Sequence, residues 1–285
     1  MSAEAIHPTA IVDAHARLGS GVRVGAFSLI GPDVTLGDDV EVGHHVVLEG
    51  LLEIGAGARI GHGAVLGGAP QDLKFKEGTR SGIRIGAGTT IREYVTIHRA
   101  TRPDSFTEVG PECLIMAYSH VAHDCRIGRK AIIINYAGIT GHCEIDDFAT
   151  FGGLSGITPF TRVGAYAYVG GCVKVTRDVP PAMIVDGLPA TVRGVNVIGL
   201  RRAGLVPAER RAIQDAYRIL YRNGLPPGRA VERIRSEVPA TPLVARLVEF
   251  VTSSKRGICA PPSGWAASGS AGETQDDEAE REPVI

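Results

Sequence analysis

The chain has 285 residues, a formal net charge of −1 and 44% hydrophobic residues. That is enough for one large or two modest units, without the global field that draws nucleic acid or an acidic membrane surface. Its 37 glycines against 5% aromatics point to many tight turns and few bulky core residues. Five cysteines, odd in number and without a CxxC pair, argue against a disulfide framework and for a reducing compartment. The opening MSAEAIHPTA lacks the basic and apolar regions of a signal peptide, and no run reaches the ~18 apolar residues of a membrane span. The expectation is a cytoplasmic protein with no membrane span and no nucleic-acid partner.

In chain order, the dominant pattern is an aliphatic residue at every sixth position. It runs from Ile6 through Val12, Leu18, Val24 and Ile30 to Leu66, shifts phase across GGAPQDLKFKEGTRSG, and resumes at Ile85, Ile91 and Ile97. After HRATRPDSFTE it restarts at Val109 and continues through Ile115, Val121 and Ile127 to Val175, stopping at DVPP. Neither a helix nor an ordinary strand has this period. A solenoid of short strands does: each hexad supplies a flat face and a turn, and three faces close a coil of about 18 residues whose rungs stack about 4.8 Å apart. Residues 1–190 therefore read as a parallel β-helix, an all-β solenoid, with ejected loops near 67–84 and 98–108. Loops on a rigid scaffold are common places for function.

After Pro181 the character changes. VPAERRAIQDAYRILYRNG reads as a helix, with Pro207 placed to start it and Gly224 to end it. GRAVERIRSE and TPLVARLVEFVTSS read as two more. Residues 191–258 are expected to form a small α-helical domain capping the coil, and the Pro-, Gly-, Ser- and acid-rich 259–285 a disordered tail.

Coil arithmetic turns spacing into proximity. His142 follows His123 by one coil plus one residue, so both belong near one edge, and His120 lies three residues before His123 on the same coil. Imidazole suits proton transfer near neutral pH, and Asp124 can orient or strengthen a histidine base if a turn brings it to the same side as His123. A zinc site on His120, His123 and His142 is the competing reading. His7, His15, His44, His45 and His62 read as surface residues.

Several long segments resemble the acyl-carrier-protein-dependent UDP-N-acetylglucosamine O-acyltransferases that begin lipid A synthesis. They are IHPTAIV, GGAPQDLKF, IREYVTIHRAT, SHVAHDC, AGITGHCEIDDFA, VGGCVKVTRDVPPAMIVDG and GVNVIGLRRAG, in family order. The resemblance implies a left-handed coil, a homotrimer, clefts between subunits as active sites, and an acyl-carrier-protein thioester and a UDP-sugar as substrates, with no cofactor or metal. It makes His123 the general base, Asp124 its acid partner and Gly141 the amide donor to the thioester oxyanion. His120 becomes a substrate contact; His142, which follows Gly141, is grouped with it. Asp72 and Lys74 become sugar and phosphate contacts, Gly171 the position that limits acyl length, and Asn196 and Arg202 nucleotide contacts.

The chain departs from the family pattern at Thr158 and Pro159, where histidine and glutamine are usual, and at Ile198 and Ala203 near the nucleotide. The departures keep open an N-acyltransferase acting on a 3-amino sugar nucleotide. Two further readings are a hexapeptide-repeat metalloenzyme of carbonic anhydrase type and a non-catalytic sugar-nucleotide-binding protein.

Overall fold

The computed structural model describes residues 5–262. Three sheets of nine, eight and ten strands, parallel except for the last strand of the third, form the sides of a prism. Most strands are two residues long, with one side chain out and one in, as in Arg126–Ile127. The first face begins at Ile11–Val12, the second at Arg17–Leu18 and the third at Arg23–Val24, and the chain visits them in that order on every turn. The coil is left-handed.

The hexad residues stack in register. Val121 pairs with Ile139 and Ile139 with Ile157 on the first face, while Ile115, Ile133 and Phe151 do so on the third. All six are essentially buried, Ile157 being the most exposed at 3%. Burial of each such side chain stabilises the fold by roughly 1.5–3 kcal/mol. The pattern weakens at the open end: Ile6 is 39% exposed, and Val12 and Leu18 are only partly buried, because the first coil has neighbours on one side only. A residue in left-handed conformation turns many of the corners, and most of these are not glycine.

Hydrogen-bonded partners on adjoining rungs are 18 residues apart in ordinary coils, as for Ser20 and Asp38. Across the first loop the separation rises to 31 (Glu53 and Arg84), and across the second to 24 (Thr96 and His120). The chain leaves the prism after Gly68 and rejoins it at Gly82, then leaves after His98 and rejoins at Phe106. Both excursions depart where the first face turns into the second.

The third face ends in Met183–Asp186 and the antiparallel Thr191–Val195, so the sheet extends five residues past the boundary expected at 190. Four helices follow: α1 (Val197–Arg202), α2 (Pro207–Arg222), α3 (Pro227–Glu237) and α4 (Pro242–Ser253). The last three begin at proline, whose missing N–H costs nothing in a first turn. Gly224, at φ 64°, lies just past the end of α2. The short α1 is not among the helices expected from the sequence. Helix α4 docks on the second face through Arg246–Asp146 at 2.5 Å and through Phe250 under the Arg162 guanidinium at 4.4 Å.

The ordered chain also runs into the expected tail. Cys259 is 1% exposed and its N–H donates to the Asp178 carbonyl at 2.8 Å, while the Ala260 carbonyl accepts from Val192 at 2.9 Å. Residues 263–285, expected to be disordered, lie outside the described residues. No helix among the described residues is long and apolar enough to cross a membrane.

Candidate active site

The corner between the first and second faces gathers the chemistry. His123 and Asp124 follow the first-face strand His120–Val121 and precede the second-face strand Arg126–Ile127. Side chains adjacent in a strand diverge, but Asp124 has φ 58°, and this turn brings its carboxylate beside its neighbour's ring. His123 Nδ1 lies 2.8 Å from Asp124 Oδ2, and both side chains are 12% exposed. A proton held at Nδ1 by the carboxylate leaves Nε2 as the ring's basic atom.

Asp124 is held from four directions. Burial pushes its carboxyl up, but donation from His123 and from the Thr101 hydroxyl and amide, with the charge of His142, outweighs burial and holds the carboxyl below the ordinary value. Thr101 Oγ1 donates to Oδ2 at 2.7 Å, and the Asp124 N–H donates to Thr107 Oγ1 at 2.8 Å.

One rung away, His142 also has positive φ, 61°. Its ring meets that of His123 edge-on at 5.1 Å. Burial lowers its pKa, partly countered by Asp124. Gly141, which precedes His142 in the chain, packs against the base: a Cβ there would lie 2.6 Å from His123 Cε1 and 2.8 Å from Nε2. The Gly141 N–H finds no acceptor among the described residues, so a bound acceptor can take it.

These groups open into a cleft of about 470 Å³ lined by Asp72, Lys74, Arg102, His123, Gly141, His142 and Phe160, among others. The first ejected loop thus contributes Asp72 and Lys74, whose N–H bonds Asp72 Oδ1 at 2.8 Å. The second contributes Thr101 and Arg102.

Other candidates lie elsewhere. His120 has Nδ1 2.7 Å from Thr96 Oγ1 and its ring edge-on to His98 at 4.7 Å; burial, then the nearby His123, lower its pKa. The three-histidine zinc set is therefore not assembled: among the described residues, the donors that converge within 4.8 Å are His123, Asp124 and His142. Gly171 is exposed at the corner between the third and first faces, where a Cβ would approach only the Gly153 carbonyl, at 3.3 Å.

Asn196 caps α1, its Oδ1 accepting from Gly199 at 2.9 Å and its Nδ2 donating to the Tyr166 carbonyl at 2.8 Å. Tyr166 turns the corner between the second and third faces, and Arg202 is exposed at the end of α1. Neither Asn196 nor Arg202 lines the cleft of its own chain. The expected set is thus distributed over all three edges of the prism.

Thr101, Arg102 and His98 were not among the residues expected from the sequence. Their signal was the cation- and hydroxyl-rich break in the hexads, HRATRP. His98 is half-buried with an unpartnered Nδ1, and burial, then His120 and His123, lower its pKa to about 4. His44 and His62 prove to be structural: their rings stack at 4.8 Å, and their Nδ1 atoms accept from the backbone of Ala26 and His44.

Known proteins resemble this chain in sequence and fold. A family model described as UDP-N-acetylglucosamine O-acyltransferase, domain 2, matches residues 178–259, and one for bacterial transferase hexapeptide repeats matches 6–50 and 106–141. A relative from Thermodesulfovibrio yellowstonii, named acyl-(acyl-carrier-protein)–UDP-N-acetylglucosamine O-acyltransferase, is 42% identical over 89% of this chain and 98% of its own length. One of the same name from Aquifex aeolicus is 58% identical over 68% of this chain and 75% of its own length. The solved UDP-N-acetylglucosamine acyltransferase of Bacteroides fragilis superposes with a TM-score of 0.86 at 38% identity, covering 88% of this chain and 98% of that one. The Francisella novicida enzyme gives 0.88 at 34%, covering 94% and 100%. This chain belongs to the UDP-N-acetylglucosamine O-acyltransferase family.

Proposed function

We propose that the chain transfers an acyl group, of the 3-hydroxyacyl type, from the thioester of acyl carrier protein to the 3-hydroxyl of UDP-N-acetylglucosamine, the first step of lipid A synthesis. The carrying observation is the 2.8 Å contact of His123 Nδ1 with Asp124, beside the uncommitted Gly141 amide. His123 Nε2 takes the hydroxyl proton as the sugar oxygen attacks the thioester carbonyl, and the Gly141 N–H steadies the oxyanion. As the tetrahedral intermediate collapses, the C–S bond breaks and the carrier's thiolate leaves, recovering the proton from His123.

Lys74, in the cleft, suits the diphosphate as a flexible point charge, and Arg202 suits it as a bidentate fork. Because Gly171, Asn196 and Arg202 occupy the other two edges, a homotrimer unites them with His123, an edge of one copy meeting different edges of its neighbours. Gly171 leaves the acyl groove open for a long chain, and a bulkier residue there shortens the chain accepted. No step calls on a cofactor or metal. The unpaired cysteine composition supports a cytoplasmic site of action.

The test is release of carrier thiol from purified protein given acyl carrier thioester and UDP-N-acetylglucosamine, with mass spectrometry of the sugar product. His123→Ala is expected to lose about 10²- to 10⁴-fold in rate; an undiminished rate would show that the base is misassigned. Product formed only on a 3-amino sugar would redirect the acceptor assignment.

A further inference from the structure

We propose that Thr101, in the second ejected loop, is a positioning residue for this acyl transfer, clamping the Asp124 carboxylate so that it serves His123 rather than His142. The inference rests on the acyltransferase reading of the site.

Two imidazoles compete for one carboxylate oxygen. Oδ2 of Asp124 lies 2.8 Å from His123 Nδ1 and 3.7 Å from His142 Nε2. A small rotation of the carboxylate would favour the second ring, and His123 would then lose the partner that fixes its tautomer. The rung itself restrains only the Asp124 backbone, through Thr107. Among the described residues, the carboxylate is restrained by Thr101 alone besides the histidines: the hydroxyl donates to Oδ2 at 2.7 Å, and the amide spans Oδ1 and Oδ2 at 3.2 and 3.3 Å. This three-point hold sets both the position and the plane of the carboxylate, since the amide fork lies across both oxygens while the hydroxyl shares Oδ2 with His123.

The loop is built to deliver it. An ordinary coil would pass from His98 directly into the second face, but here the separation between rungs is 24 residues instead of 18, and Thr101 is in the extra segment. Its neighbours are anchored: Arg99 Nη1 donates to the Gly67 carbonyl at 3.3 Å, and Asp104 pairs with Arg80 at 3.2 Å. The two ejected loops therefore brace each other and present Thr101 to the corner.

The experiment compares Thr101→Val, which keeps shape and amide but removes the hydroxyl, with Thr101→Ser. A hydrogen bond to a charged group is worth roughly a 10- to 100-fold change in rate. Thr101→Val is expected to lower kcat by about that factor with KM within about twofold, and Thr101→Ser to recover most of it.

Independently of turnover, the downfield proton NMR signal of the His123 Nδ1–H in the free protein should shift or broaden in Thr101→Val and return in Thr101→Ser. Wild-type kcat in Thr101→Val, a loss confined to KM, or an unaltered imidazole signal would overturn the proposal. An inactive parent protein would instead sink the acyltransferase reading, while the NMR comparison would still decide whether Thr101 holds the pair.

Discussion

The ring of His142 lies flat on that of Phe160, with centroids 4.5 Å apart and planes 5° from parallel. Phe160 is 60% exposed, so this stack forms a wall of the cleft rather than part of the core. A stacked pair is worth about 0.5–1.5 kcal/mol beyond area burial. Phe160→Ala is therefore expected to raise KM for the sugar nucleotide by roughly 2- to 10-fold with little change in melting temperature, measured by steady-state kinetics and calorimetry.

Gly141 is required by its neighbour and not by its own backbone conformation. Any side chain there meets three atoms of the His123 ring within 3.1 Å, and the ring would have to leave Asp124. Gly141→Ala should cost at least about 10²-fold in kcat, in the range of a lost proton transfer, while the far-ultraviolet circular dichroism of the coil stays unchanged.

His98 makes stability pH-dependent. Its folded pKa is lowered to about 4, by burial first and then by His120 and His123, against an unfolded value of about 6.5. The folded state thus binds fewer protons in this window, and stability falls as pH drops from about 6.5 toward about 4. Asp124, whose carboxyl is held low, acts below this window, its contribution present above about 3.9 and lost as the carboxylate is protonated. Urea midpoints measured every half pH unit should show a shallower slope between pH 6 and 4 for His98→Gln than for the parent.

Phe151 fills the prism at 0% exposure, stacked between Ile133 and Val169 on adjoining rungs. Phe151→Ala is expected to destabilise the fold by about 3–5 kcal/mol, because the rungs on either side are fixed by their ladders and cannot collapse into the cavity. Chemical denaturation measures this directly.

If the site is shared between copies, His123→Ala and Arg202→Ala damage different parts of each composite site. Mixed trimers formed by coexpressing the two inactive chains should contain some intact sites, and should show more activity than either variant alone. Equal inactivity of the mixture would place Arg202 outside a shared site.

The coil was legible in the sequence because its signal is local and repeated: an inward aliphatic at each hexad, from Val24 to Val175, contributes independently of where any loop goes. Coil arithmetic likewise brought His123 and His142 to one edge, since rung spacing converts sequence distance into space. Helices α2, α3 and α4 were legible from proline starts and apolar periodicity, whereas α1 is a six-residue element too short for a periodicity to register.

What only the tertiary structure decided is which groups meet at that edge. Whether Asp124 reaches His123 depends on a positive φ at a corner. That His120 Nδ1 meets Thr96 and not Asp124 depends on its outward position in a strand. Thr101 and Arg102 come from a break in the repeat, where no periodicity predicts the path of the chain. A repeat is determined one residue at a time by burial, but a site is determined by the crossing of segments distant in sequence, and that crossing is written in hydrogen bonds and loop closure, which no single stretch of residues carries.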